Sequence, residues 1–261
     1  MKKMALSIRN ISKSFYNKEK KEPFISLKNV SLEIKEEEFV CLLGPSGCGK
    51  STLLKLLAGL NKPDCGEIYL DNKKISKPNK DRGMVFQEYA LFPWLTVEKN
   101  IALGLELSGT NKKEISDKVS WAVDIVGLRE FRKRYPHQLS GGMKQRVAIA
   151  RALVMNSKVL LMDEPFGALD AFTKMNLQDD LMKLWEKHKF TTVFVTHDID
   201  EAIYLSDRIV VMTSSPGQVK TIINVDMLRP RIRTSDDFAY LRKYVLEQYG
   251  YKDNRQIEYN I

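Results

Sequence analysis

Nine consecutive residues, Gly44-Pro45-Ser46-Gly47-Cys48-Gly49-Lys50-Ser51-Thr52, set three glycines, a lysine and adjoining hydroxyls between the apolar run Phe39–Leu43 and a helix-forming stretch that starts at Leu53. Gly44, Gly49, Lys50 and Ser51 fit the pattern G-x-x-x-x-G-K-[ST], and the strand-like run before it with the helix after it is the context in which that pattern binds phosphate. Glycines let the backbone turn so that successive N–H groups point into one concavity. The following helix aims its positive end at the same place. Lys50 would reach the β and γ phosphates of a nucleotide, and Ser51 would hold Mg²⁺. A glycine-rich loop without a ligand would leave Lys50 unexplained.

Two further stretches could complete such a site. Lys158–Pro165 is a buried-strand run that closes in two carboxylates. Asp163 at the strand end can organise Mg²⁺ through water, and Glu164 can polarise an attacking water. Two carboxylates would repel a triphosphate unless the metal stood between them. The stretch from Leu139 opens a helix with Ser140, Gly141 and Gly142, and its apolar positions Val147, Ile149, Ala150, Leu153 and Val154 recur at helical spacing. A serine and two glycines at a helix start make a second anion site, or simply a helix cap after a loop.

With these residues in view, the chain resembles the nucleotide-binding subunits of ABC transporters over roughly residues 6–213. Gly44–Thr52 looks like their Walker A loop, Ser140-Gly141-Gly142 within LSGGM like their signature motif, and VLLMDE, ending in Asp163 and Glu164, like their Walker B strand. Gln87 matches the Q-loop, Asp170 in FGALD the D-loop and His197 in FVTHD the switch histidine. Phe15 falls where the family stacks an aromatic ring on adenine, with Tyr16 as the alternative. Met143 departs from the glutamine that many signature motifs carry. The segments FPWLTVEKNI, DEPFGALD and RPRIRT resemble ATPases of the nitrate/sulfonate/taurine importer group.

The resemblance implies ATP and Mg²⁺ as cofactors and two copies of the chain working head to tail. The whole loop, Gly44, Pro45, Ser46, Gly47, Cys48, Gly49, Lys50, Ser51 and Thr52, would hold the phosphates. Ser51, Gln87 and Asp163 would place Mg²⁺, Glu164 would act as general base, and His197 would orient the γ phosphate and water. Ser140 and Gly142 would contact the γ phosphate of the other copy's nucleotide, and Gly141 and Asp170 would also belong to the nucleotide-binding set. The partners implied are transmembrane permease subunits, which would hold the chain at the cytoplasmic face of the membrane, and indirectly an extracytoplasmic substrate-binding protein. Leu91, Phe92 and Trp94 would line the groove for a permease helix, unless they pack inside the chain.

These residues need strands and helices to hold them. Strand-like runs fall at residues 5–11, 31–34, 39–43, 67–70, 83–86, 159–162, 191–196 and 208–213. Helical spacing marks Ile115, Val119, Ala122, Val123 and Val126, and again Leu177, Leu181, Leu184 and Trp185. Alternating strands and helices imply an α/β fold with a mostly parallel sheet covered by helices on both faces. The resemblance makes this a P-loop NTPase core with an N-terminal antiparallel β part. Residues 88–156 lack a strand and read as an inserted helical subdomain. The ATPase domain would span residues 1–213, and residues 214–261 a short, mostly helical extension.

The 261 residues are 43% hydrophobic and 29% charged, with no apolar run near the roughly 18 residues of a membrane span. Three cysteines show no metal-ligand spacing and suit a reducing compartment. The net charge of +9 is dispersed in mixed-charge stretches such as NKEKKEP and DNKKISKPNKDR, so nucleic acid is not expected as a partner. A soluble ABC ATPase acting on nucleic acid would share the motifs and use that charge, but such proteins usually carry long coiled-coil or zinc-bearing insertions, and none is visible. A P-loop kinase would leave the signature motif, Asp170 and His197 without work.

Overall fold

The computed structural model describes residues 3–17, 21–167 and 169–250. Strands β1 (Met4–Asn17) and β2 (Glu22–Lys35) pair antiparallel. Strand β3 (Phe39–Leu43), helix α1 (Lys50–Ala58), β4 (Cys65–Leu70), β5 (Lys73–Lys74) and β6 (Arg82–Val85) follow. Three helices come next: α2 (Val97–Leu107), α3 (Lys112–Ile125) and α4 (Gly141–Leu153). Then come β7 (Val159–Asp163), α5 (Ala171–His188), β8 (Thr191–Thr196), α6 (Ile199–Leu205), β9 (Arg208–Met212), β10 (Val219–Asn224) and α7 (Asp236–Tyr249).

Two sheets form. One is antiparallel, in the order β2-β1-β4-β5; the other runs β10-β9-β3-β8-β7-β6 and is parallel except at β10. Every residue of β3, β7 and β8 is buried, as strands covered on both faces require. Side-chain alternation divides these strands between two cores. Phe39, Cys41 and Leu43 of β3, with Leu160 and Met162 of β7, face α4, α5, α6 and α7. Val40, Leu42, Val159 and Leu161 face α1 and the antiparallel sheet. The expected mostly parallel core with an N-terminal antiparallel part is therefore what the chain builds.

A third core holds α2, α3 and α4 together through residues such as Ile101, Leu105, Val119, Val123, Val147 and Val154. Helix α4 serves two cores: Val147, Ala150 and Val154 look into the helical lobe, while Ala148, Ile149 and Ala152 look onto the sheet. That double burial ties the lobe to the strands.

The N-terminal strands run longer than the apolar alternation suggests, Met4–Asn17 against residues 5–11 and Glu22–Lys35 against 31–34. The reason is a series of bulges between Ile8 and Ser14, with Asn10 and Asn29 both in left-handed conformation at φ 51. Each bulge resets the two-residue period that marks a strand. Strand β10 lies in the stretch expected as a mostly helical extension, yet it joins the main sheet as its edge. Only Ile223 of its six residues is buried, so it carries almost no apolar signal.

Candidate active site

The register β3–β8–β7 brings three strand ends to one rim: Leu43 pairs with Thr196, and Val195 with Asp163. In an open parallel sheet, ligands bind outside these carboxyl ends. From β3 the chain enters the glycine loop. Gly47 and Gly49 have φ 79 and φ 96, the left-handed region in which a side chain is strained. Gly49 caps α1, and a Cβ there would stand 2.6 Å from Leu27 Cδ2 and 2.8 Å from the Ser26 carbonyl oxygen. The first turn of α1 carries no acidic residue, so its free amide N–H groups face the loop unopposed.

Lys50 is buried, and its Nζ donates to the carbonyl oxygens of Gly44 at 2.7 Å and Pro45 at 2.9 Å. Thr52 Oγ1 accepts from Ser26 Oγ at 3.1 Å. Cys48 is buried beneath the loop, and burial pushes its thiol above the usual range. Ser46 and Gly47 are exposed, and Pro45 is half-buried.

A segment outside every motif buttresses this loop. Gly217 N donates to Ser26 O at 2.9 Å, Lys28 N donates to Gly217 O at 3.0 Å, and Ser215 Oγ donates to Gly47 O at 3.3 Å. A Cβ on Gly217 would lie 1.9 Å from the Cys48 carbonyl oxygen. Backbone cannot yield as a flexible side chain does, so Gly217→Ala must push the loop out of place. The expected result is ATP affinity lowered about tenfold, with about 1–3 kcal/mol of stability lost. Equilibrium nucleotide binding alongside thermal melting checks it; wild-type affinity would show that the buttress does not shape the loop. Sequence reasoning passed over Gly217, whose only signal is a Pro-Gly turn.

At the end of β7, Ser51 Oγ donates to Asp163 Oδ1 at 2.8 Å, joining the two residues expected to share a metal. Burial pushes the Asp163 carboxyl above its ordinary range, opposed by the Ser51 hydrogen bond and helped by the charge of Glu164. A hydroxyl and a carboxylate, both hard oxygen donors, beside a phosphate loop fit Mg²⁺, which is held by one or two protein groups plus substrate phosphates. Among the described residues no cluster of three or more His, Cys, Asp or Glu offers an all-protein metal site.

Glu164 sits next along the chain at φ 42, its N–H bonded to Val195 O at 3.0 Å. A glutamate in the left-handed region is strained, and such residues gather at working sites. Its Oε2 is 3.0 Å from His197 Nδ1, and His197 follows directly on β8. Gln87 lies two residues beyond β6, the strand beside β7, and is exposed.

The remaining sites stand elsewhere. Ser140 caps α4, its Oγ accepting from Met143 N at 3.3 Å, so the cap reading holds as geometry. Gly142 is where α5 crosses closely: a Cβ there would meet Thr173 Cγ2 at 2.7 Å. Asp170 caps α5, and the Thr173 N–H at 3.0 Å holds its carboxyl below the ordinary range. Ala168 of the same loop falls outside the described residues. No described hydrogen bond joins Ser140, Gly141, Gly142 or Asp170 to residues 44–52. Phe15, half-buried on β1, stacks on Phe24 with centroids 5.9 Å apart, while its neighbour Tyr16 is 62% exposed.

Arg151 on α4 is a link that the sequence did not announce. Its Nη1 donates to Ala90 O at 2.6 Å and its Nη2 to Tyr89 O at 3.1 Å. Both carbonyls belong to left-handed residues just past Gln87, at φ 45 and φ 58. Burial pushes the guanidinium below its usual value. The helix opened by Ser140 is thus tied to the loop that carries Gln87.

A parallel sheet with a phosphate loop, a paired hydroxyl and carboxylate, and a carboxylate–histidine pair on one rim defines a P-loop nucleoside triphosphatase. The model of the ABC transporter family matches residues 27–167. The chain is 51% identical over 246 residues to the aliphatic sulfonates import ATP-binding protein SsuB of Bacillus cereus, covering 94% of this chain and 96% of that one. Among solved structures, a dimeric bacterial ABC transporter cassette superposes with TM-score 0.75 at 37% identity, covering 85% of this chain and 100% of that one. A dimeric cassette in a post-hydrolysis state with ADP and Pi superposes at TM-score 0.74, also at 37% identity and with the same coverage. The chain belongs to the ABC transporter ATP-binding family, and it is an ATPase.

Proposed function

We propose that this ATPase energises an importer for a small organic anion of the sulfonate class, as a head-to-tail pair of copies with Mg²⁺ and ATP. The observation that carries the reading is the rim on which Lys50, the Ser51–Asp163 pair and the Glu164–His197 pair converge. The 51% identity to a sulfonate import ATP-binding protein supports the substrate class.

In this reading Gly44–Thr52 cradles the phosphates through backbone N–H groups, and Lys50 exchanges its two carbonyl acceptors for phosphate oxygens. Ser51, Asp163 and Gln87 would hold Mg²⁺, which when bound would neutralise phosphate charge. Glu164 polarises water for attack on the γ phosphate. His197, in contact with that carboxylate, orients water and phosphate. Ser140, Gly141, Gly142 and Asp170 belong to the nucleotide of the opposite copy, in keeping with no described hydrogen bond joining them to this copy's own loop. Phe15 or Tyr16 stacks on the base.

No helix among the described residues is long and apolar enough to cross a membrane, so attachment to the cytoplasmic face falls to permease subunits. The surface between Gln87 and α2 suits them. Leu91 packs against the main core and the lobe core, whereas Trp94 is 70% exposed with Phe92 beside it at 5.6 Å. Trp94→Ala should therefore leave ATP affinity within about twofold and reduce transport at least about tenfold. Loss of ATP binding in step with transport would mean that Trp94 supports the fold.

The test of the function is purification from native membranes in mild detergent, with co-purifying chains identified by mass spectrometry. A multi-span membrane chain and ATPase stimulation by a sulfonate-loaded binding protein are expected. Bound nucleic acid without a membrane chain would overturn the reading.

A further inference from the structure

His197 stands between two residues that a buried network holds. Thr196 Oγ1 donates to Glu201 Oε2 at 2.5 Å, and Asp198 N donates to Thr196 Oγ1 at 3.0 Å. Lys174 of α5 reaches Asp198 Oδ2 at 2.6 Å and Glu201 Oε1 at 2.8 Å. Gln178, one turn further along α5, donates through Nε2 to Glu201 Oε1 at 3.2 Å. Gln178 and Glu201 are each 4% exposed, so no solvent can replace a lost partner.

The network does not end there. Gln178 Oε1 accepts from Arg233 Nη2 at 2.9 Å, and the same nitrogen reaches Asp179 Oδ1 at 3.2 Å. The Arg233 guanidinium lies 3.4 Å from the centre of the Tyr204 ring. Two residues upstream, Arg231 is buried and its Nη1 donates to the carbonyls of Ile203 at 2.6 Å, Tyr204 at 3.1 Å and Ser206 at 2.6 Å. Arg229 takes the Leu205 carbonyl at 2.7 Å and pairs with Asp207. These arginines satisfy the carbonyls that the end of α6 leaves open. Helix α6, which begins two residues after His197, is gripped at both ends by groups that the C-terminal stretch supplies or orients.

We propose that Arg233 is a positioning residue for ATP hydrolysis, acting through Gln178 and Glu201 to set where His197 stands relative to Glu164. This rests on the reading that Glu164 and His197 act on ATP. The cation at Gln178 Oε1 forces the amide to turn its N–H₂ end toward Glu201. Without the cation the Gln178 amide oxygen loses its partner in a buried place, and the contact with Glu201 is no longer held in one geometry. Thr196 is covalently joined to His197, so the shift arrives at the 3.0 Å contact with Glu164.

The experiment measures kcat and KM for ATP on the full chain. Arg233→Met keeps an apolar surface over Tyr204 and should lower kcat about tenfold with KM within about twofold. Arg233→Lys, which still offers a donor to Gln178, should recover most of the loss. On a His197→Ala background, Arg233→Met should cost nothing further, because the residue through which it acts is gone. Should Arg233→Met not fold, Gln178→Met breaks the same chain one link nearer and must show the same pattern. A wild-type kcat in the variant, or an equal loss on both backgrounds, overturns the positioning role alone. A wild-type rate in His197→Ala itself overturns the reading of the site, and the positioning role with it.

Discussion

Glu164→Gln is expected to lower kcat for ATP hydrolysis at least about 100-fold while ATP still binds, the scale on which a positioned general base acts. Glutamine keeps the shape of the side chain and offers His197 Nδ1 an oxygen or a nitrogen at the same 3.0 Å, so the contact survives the change. It loses the negative charge that draws a proton from water. In the proposed reading phosphate binding rests on residues 44–52, which Glu164 does not touch by any described hydrogen bond, so affinity should stay within about threefold. A second readout follows from the head-to-tail pair proposed above: ATP should hold the variant as a dimer on gel filtration, because in that reading hydrolysis is the step that separates the copies. Turnover at the wild-type rate would remove Glu164 from the chemistry and turn attention to Asp163 at the end of β7.

Lys50→Ala should weaken ATP binding by roughly 100-fold or more. Each charged hydrogen bond is worth about 1.5–3 kcal/mol, and Lys50 would give up contacts to two phosphates. The buried ammonium sits on the carbonyls of Gly44 and Pro45, so it shapes the loop as well as charging it. Alanine strips both carbonyls of a donor, and melting must accompany the binding titration to show that the variant is folded. A folded variant with wild-type affinity would take the glycine loop out of the account. The two variants part company cleanly: one removes binding, the other leaves binding and removes turnover.

What could be read ahead of the structure is what local pattern encodes. The run Phe39–Leu43 is buried throughout, Gly47 and Gly49 take the left-handed turns that their spacing implies, and α1 starts at Lys50. The strand ending in Asp163 is equally plain, because a fully covered strand is an unbroken apolar run with an abrupt polar end. Strand order is not local. That β8 lies beside β7 and delivers His197 to Glu164 was available only through family resemblance. The buttress at Gly217, the Arg151 tie to Tyr89 and Ala90, and the three arginines of RPRIRT were illegible for the same reason. Gly217, Arg151, Arg229 and Arg231 meet backbone carbonyls far away in the sequence, which leave no mark on residue type, and Arg233 meets the side chains of Gln178 and Asp179, which only the fold brings near.

Arg229, Arg231 and Arg233 come after everything that they hold. A chain is synthesised from its N-terminal end, at about 5–20 residues per second. Strand β3, its glycine loop and the carboxylates of β7 therefore leave the ribosome before the stretch that closes the end of α6. Until that stretch emerges, the carbonyls of Ile203, Tyr204, Leu205 and Ser206 have no guanidinium, and Gln178 has no cation to orient it. On the role proposed for Arg233, the stretch that sets His197 for its full rate is among the last parts of the site to be made.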